Sequence, residues 1–330
     1  AFLKEGADDE AFVAALVAME GNEPVWLKEM IHAMASDNAS VAKGLGEALA
    51  LTSWPGITGM LLELSKDNDP RTGSLALEAL LHRRIDPGPV LDDAIDNPGH
   101  PAFVSSLRGA GLFRKRHLIN KVEHYIHADD STVAATALKS LMRLDPGKGR
   151  WACLEMLNSP APCARAALLL GVTGQKEDLN VLAHAFFSEN RTLAREALLA
   201  AGNVGHIAAV PSLIRGLGFS DLGGVACVAL QRIFCDALPV EEFLLRSGPE
   251  TMGHPEEDED EIWNPDDDLP CFDPRKVQGW WDEQKMHYFV DYRYRNGEPF
   301  KPAKPRLSSP IAFMELEAIE EAIRDWFAPS

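Results

Sequence analysis

Ten histidines, five cysteines and a dense run of carboxylates are the side chains from which this sequence might assemble a reactive or ligand-holding site. The histidines are scattered, and none forms His-Glu-x-x-His, the spacing that sets two imidazoles on one helix face around zinc. Gly-x-Ser-x-Gly, the phosphate-cradling Walker A loop and Gly-x-Gly-x-x-Gly are all missing. Gly216-Leu217-Gly218 and Gly223-Gly224 read instead as loop glycines, and His124 and His127, flanking Tyr125-Ile126, as a helix end. The cysteines are Cys153, Cys163, Cys227, Cys235 and Cys271, an odd set without a Cys-x-x-Cys pair. Free thiols in a reducing compartment fit that pattern. Cys227 and Cys235 lie eight apart, which suits two core positions on one helix face. No catalytic residue, bound metal or cofactor is therefore expected.

The carboxylates are the stronger signal. Residues 250–273 hold eleven acids and neither Lys nor Arg, so −11 of the net charge of −18 falls there and −7 elsewhere. A solvated loop is one reading of such a run. A calcium site is a second, but the Asp-x-Asp-x-Asp-Gly spacing is absent. A docking surface for a basic partner is the third. Its candidate residues are Glu256, Glu257, Asp258, Glu259, Asp260, Glu261, Trp263, Asp266, Asp267 and Asp268. Trp263, Cys271 and Phe272 are interleaved with the acids, which a purely solvating tail does not need. The overall charge repels nucleic acid and anionic membrane. The basic run Arg114-Lys115-Arg116-His117 reads as a solvated helix start.

An aromatic cluster follows: Trp280, Trp281, His287, Tyr288, Phe289, Tyr292 and Tyr294. It reads as a cap over an open apolar end, or alternatively as an exposed hot-spot patch for a partner. Residues 292–297 suggest a strand end and turn, and Pro299, Pro302 and Pro305 an extended linker. Residues 310–327 pattern as an amphipathic helix, with Phe313, Leu316, Ile319, Ile323, Trp326 and Phe327 on its apolar side.

The elements that carry these residues are set by a repeat. An apolar residue followed by a small one recurs, with a second such pair four residues on, as in Val133-Ala134 with Ala137-Leu138 and Leu193-Ala194 with Ala197-Leu198. Lead positions fall at 12, 41, 75, 103, 133, 163, 193 and 225, in steps of 29, 34, 28, 30, 30, 30 and 32. Each copy predicts a helix with a stripe of small residues that a neighbour can approach closely. A second helical pattern lies between copies, for example Ile57 with Leu61-Leu62 and Val210 with Leu213-Ile214. Polar punctuation such as Asp67-Asn68-Asp69-Pro70, Asp129-Asp130-Ser131 and Ser188-Glu189-Asn190 precedes the small-residue helices and supplies N-caps. No apolar run is long enough to span a membrane and no signal peptide is visible, so a cytoplasmic protein is expected.

Helix, polar turn, small-residue helix and loop, most clearly over residues 207–235, resemble the HEAT-repeat family. The resemblance covers residues 10–240 and implies an all-α, right-handed solenoid of stacked helix pairs over 1–245. An acidic and aromatic capping segment over 246–309 and a closing helix over 310–330 would follow. Arg71, Arg165 and Arg191 partly fill the arginine position after the HEAT turn. No His-Glu pair occurs, which departs from the di-iron hydroxylases built on such repeats, and the net charge departs from HEAT-like DNA glycosylases. The chain also resembles bacterial HEAT-repeat proteins found beside type VI secretion genes. The residues behind this are 6–15, Val277, Trp280-Trp281 and 293–299. That resemblance implies a non-enzymatic immunity protein that neutralises a basic secreted toxin, a DNase effector, by direct complex formation. A scaffold or adaptor for assembly of a secretion system is the alternative.

Overall fold

Where the helices begin follows from local side-chain chemistry. Asp69 accepts hydrogen bonds from the Arg71 and Thr72 amides at 3.3 and 3.1 Å, with Pro70 in the first turn. Asp130 does the same for Thr132 and Val133, at 2.7 and 3.2 Å, and Asn190 for Leu193 at 3.1 Å. These carboxylate and amide oxygens satisfy N–H groups that have no intrahelical partner. Asp221 is not the N-cap of the helix that follows it, a position Leu222 takes, and it pairs with Arg191 at 2.9 Å.

The computed structural model describes residues 8–20, 29, 31, 39–245 and 269–300, and it is mostly helical. It divides into two compact units, residues 1–149 and 150–330. This division falls inside the span 1–245 expected as one array. In the first unit the helices are α1 (Asp8–Glu20), α2 (Ala39–Leu51), α3 (Ile57–Leu64), α4 (Pro70–His82), α5 (Val90–Ile95), α6 (Phe103–Leu112), α7 (Ile119–His124) and α8 (Ser131–Leu144). The leads Phe12, Val41, Leu75, Phe103 and Val133 fall in α1, α2, α4, α6 and α8. Those five pack in succession, and α3, α5 and α7 pack on α4, α6 and α8. The core between them is aliphatic, with Leu45, Leu49, Leu61 and Leu80 fully buried. Arg83, just past α4, donates to the carbonyls of Ala50 and Thr52 at 3.0 and 2.7 Å, closing the C-terminal end of α2.

Helix α9 (Pro146–Leu157) crosses the division in sequence. The second unit contains α10 (Ala164–Thr173), α11 (Leu179–Phe186), α12 (Arg191–Val204), α13 (Val210–Gly216), α14 (Gly223–Phe234), α15 (Val240–Phe243) and α16 (Pro274–Gln284). The lead Cys163 is the residue before α10, and Leu193 and Val225 lie in α12 and α14. Helix α10 packs on α12 and α12 on α14, while α11 and α13 pack on α12 and α14. The small-residue stripe explains how close these helices come. A Cβ placed on Gly171 would stand 2.6 Å from Cα of Ala200, and one on Gly202 would stand 2.7 Å from Cα of Ala229. Asp178, 3% exposed, receives a two-pronged hydrogen bond from Arg150 at 2.6 and 2.7 Å, and the Gln175 amide at 2.8 Å. That fork joins α9 to the start of α11.

Some local expectations are corrected. Gly216 ends α13, and Gly223 and Gly224 open α14 as buried residues; none of the three lies in a loop. Gly216 lacks a side chain where helices crowd: a Cβ there would meet Cβ of Ala226 at 3.1 Å. Cys227 is buried in α14, but Cys235 lies one residue beyond the helix at φ 44° and is only half-buried, so the two do not share a helix face. Pro299 belongs to strand β2 (Glu298–Phe300), antiparallel to β1 (Arg293–Arg295), not to a linker. The turn at 296–297 has both φ values positive, as a tight hairpin requires. Trp26, Leu27 and Met30, and the helix expected over 310–327, lie outside the described residues.

Candidate binding surfaces

All ten residues expected to meet a partner, Glu256, Glu257, Asp258, Glu259, Asp260, Glu261, Trp263, Asp266, Asp267 and Asp268, lie outside the described residues. The flanks of their segment are well defined. The Leu245 amide donates to the Cys271 carbonyl at 2.9 Å, and the Asp273 amide to the Phe243 carbonyl at 2.8 Å. Leu244 and Phe272 form an antiparallel bridge. The described residues on either side of 246–268 are thus joined to each other at one point.

That point belongs to a continuous aromatic cluster. Phe272, 1% exposed, meets Phe243, which meets Trp280, with ring centroids 6.1 Å apart in both cases. Phe234, at the end of α14, touches Trp280, Trp281 and Tyr288 at 5.1, 5.7 and 5.1 Å. Tyr288 meets Tyr294 at 5.0 Å. Burial raises the Tyr288 phenol pKa. The order of these residues in sequence does not reveal this: Phe234 is the hub, reached from α16 and from Tyr288, through which Tyr294 of β1 joins. Trp281 and Tyr294 are buried and cannot act as exposed anchors.

The exposed apolar side chains of this region are others. Met286, Phe289 and Val290 are 85%, 65% and 60% exposed. They sit on a firmly held turn. The Phe289 amide donates to the Tyr294 hydroxyl at 2.7 Å, and the Val290 carbonyl lies 2.8 Å from Nε2 of His206. Nδ1 of His206 accepts from the Ala208 amide at 3.0 Å, which leaves the proton on Nε2. The histidine is therefore neutral, and its pKa is lowered by burial, with Lys176 and Arg293 adding to the effect. Asp282, Glu283 and Asp291 are exposed around the turn. Sequence reading weighed Phe289 only as one of seven aromatics and passed over Met286 and Val290; the signal was the contiguous run of large side chains.

Arginines hold the hairpin in place. Arg293 donates to the Val204 and Asn203 carbonyls, the latter at 3.1 Å, at the C-terminal end of α12. Burial and the neighbouring Arg295 lower its pKa to about 10. Arg232, also lowered by burial, donates to Oδ1 of Asn203 at 2.7 Å. Their aim at carbonyl oxygens explains the burial of two cations.

A groove of about 330 Å³ lies between α11 and α13 with α12 as its floor. Leu182, Phe186, Leu198 and Leu213, all nearly fully buried, lie beneath it, and Lys176, Glu177, Asn180 and Ser212 are the polar lining. At one side Phe187 is 51% exposed, with the Arg215 guanidinium 5.0 Å from its ring centre. Arg215 also donates to Ser212 at 3.2 Å.

The residues weighed for chemistry do not converge. Among the described residues no group of three His, Cys, Asp or Glu side chains is placed to hold a metal. Cys153 and Cys227 are buried thiols whose pKa values burial raises, that of Cys227 to about 12. Lys115 of the basic run at 114–117 pairs with Asp86 at 2.7 Å, and Nε2 of His117 lies 2.9 Å from an Asp92 carboxylate oxygen. No described helix is long and apolar enough to cross a membrane. No family model matches the chain and no curated protein matches it.

Proposed function

We propose that this chain is a HEAT-like solenoid protein that binds and neutralises a basic bacterial toxin, a type VI secreted DNase effector, in the cytoplasm. It acts by forming a complex and not by catalysis. One observation carries the reading: the clamp between Leu245 and Cys271 joins the two ends of the acidic segment beside the aromatic cluster, whose Tyr294 holds the Phe289 turn. A basic surface is steered by the acids and then anchored by apolar contacts. DNA-cleaving enzymes present basic surfaces to their substrate, which suits an acidic inhibitor. Stacking of α10, α12 and α14, and of the small-residue helices in the first unit, supports the solenoid. The aromatic cluster on Phe234 then serves as the cap at its end.

The test is a kinetic binding titration against the product of the adjacent gene, which this reading expects to be a nuclease. Association slows as salt rises, because exposed charges are screened beyond about 10 Å at 0.1 M. Replacing Glu256, Glu257, Asp258, Glu259, Asp260 and Glu261 with their amides slows association about tenfold or more, within the range steering commands. An association rate and salt dependence that ignore these six changes would remove the acidic segment from the mechanism. An adjacent gene that encodes a structural secretion component bound by this chain would favour a scaffold instead.

A further inference from the structure

We propose that Met286, Phe289 and Val290 anchor this chain in its partner, entering an apolar pocket of a basic protein whose rim carries Lys or Arg. The inference rests on the binding reading above and adds which side chains hold the complex. All three follow α16 within five residues of one another and are 85%, 65% and 60% exposed. Single exposed apolar side chains are ordinary on a soluble protein, but three large ones on one short turn mark a contact surface. These side chains are not what keeps the turn folded. Backbone atoms do that. The Phe289 amide donates to the Tyr294 hydroxyl at 2.7 Å, and the Val290 carbonyl accepts from Nε2 of His206 at 2.8 Å. The Tyr292 amide donates to the Phe289 carbonyl at 3.2 Å. A turn fixed in this way presents its side chains already ordered, which lowers the cost of binding. Aromatic residues and Met are also enriched in the buried centre of protein interfaces.

Charge indicates the kind of partner. Glu283 and Asp291 bracket the apolar residues and are exposed, and among the described residues neither has an ion-pair partner. Asp282 is already held by Lys285 at 2.8 Å and by Gln278 at 2.9 Å. Residues 282–291 thus carry three acids against one lysine, in a chain of net charge −18. An apolar turn flanked by unpaired acids complements a pocket with cations at its edge. A second copy of this chain is a poorer occupant, because it brings the same acids to the same contact.

The experiment is the kinetic titration with the product of the adjacent gene, using the full chain and its variants. Phe289→Ser speeds dissociation about thirtyfold or more, the effect of losing a central anchor, and changes association by less than about twofold. Met286→Ser speeds dissociation about tenfold. Glu283→Gln with Asp291→Asn slows association about threefold and flattens its salt dependence. If Phe289→Ser lowers the melting temperature, Met286→Ser, at the most exposed of the three sites, gives the result. A partner that binds the parent chain but leaves both Ser variants at the parent dissociation rate would overturn this inference while the binding reading stands. Absence of binding by the parent chain would remove both. A chain that sediments as a dimer, dispersed by Phe289→Ser, would assign the turn to self-association and overturn the proposal as well.

Discussion

Replacing Gly202 with alanine sets two effects of opposite sign against each other. Alanine is the better helix former, and in a helix interior the exchange contributes roughly 1 kcal/mol to stability. Gly202 lies inside α12, but its added Cβ would stand 2.7 Å from Cα and 2.9 Å from Cβ and the carbonyl oxygen of Ala229 on α14. Those atoms belong to backbone and to the shortest of side chains, so no rotamer change relieves the contact. Separating the two helices exposes or loosens the contact around buried Ala226, Ala229 and Leu230. Overpacking of this kind costs about 1–3 kcal/mol, and against a rigid helix the upper part of that range applies. The net expectation for Gly202→Ala is a loss of ~1–2 kcal/mol. Gly59, exposed in α3, and Gly279, exposed in α16, have nothing within 4 Å of an added Cβ. Alanine there gains about 0.5–1 kcal/mol, with no opposing contact. Urea denaturation of the three variants measures the difference. A Gly202→Ala variant as stable as Gly59→Ala would refute close backbone contact between α12 and α14.

Other consequences follow from the same packing. Asp178→Ala removes the acceptor of the half-buried Arg150 guanidinium and of the Gln175 amide and lowers stability by ~2 kcal/mol in a denaturant titration, because charge-assisted hydrogen bonds are lost. Trp281→Ala removes a ring, 7% exposed, from contact with Phe234, Trp280 and Tyr288, costing about 3–5 kcal/mol, which calorimetry reads as a lower melting temperature. His206 has a lowered pKa in the folded chain, so the unfolded chain binds its proton more readily. Its contribution is complete above the ordinary value of 6.5 and is lost as pH falls through that value toward the folded one. His206→Gln should flatten this acid-side loss in melting temperature; an unchanged pH profile would show that the histidine carries no such linkage.

The repeat was legible because it depends only on spacing. Phe12, Val41, Leu75, Phe103, Val133, Leu193 and Val225 all fall in helices, and Cys163 immediately precedes one. Caps at Asp69, Asp130 and Asn190 were legible for the same reason, since a side chain bonding an amide two or three residues on is a local event. The glycines misread as loop residues, Gly216, Gly223 and Gly224, show the limit. Glycine among polar neighbours signals a turn, but Gly216 marks a helix end where α14 comes within 3.1 Å of an added Cβ.

The sequence by itself thus determined helix positions, the small-residue stripe, the local concentration of acid and the aromatic content of the last quarter. Contacts between residues far apart in the chain lay beyond it. Nothing in spacing says that Phe234 gathers Trp280, Trp281 and Tyr288, or that Leu245 meets Cys271 across the acidic segment. Nor does it separate Trp281, which is buried, from Phe289, which is not, since each sits in a similar aromatic run. That distinction depends on which surface the folded second unit offers to each ring. The His206 ring decides part of it, because its bond to the Val290 carbonyl spans 84 residues and holds the turn with Phe289 and Val290 facing outward.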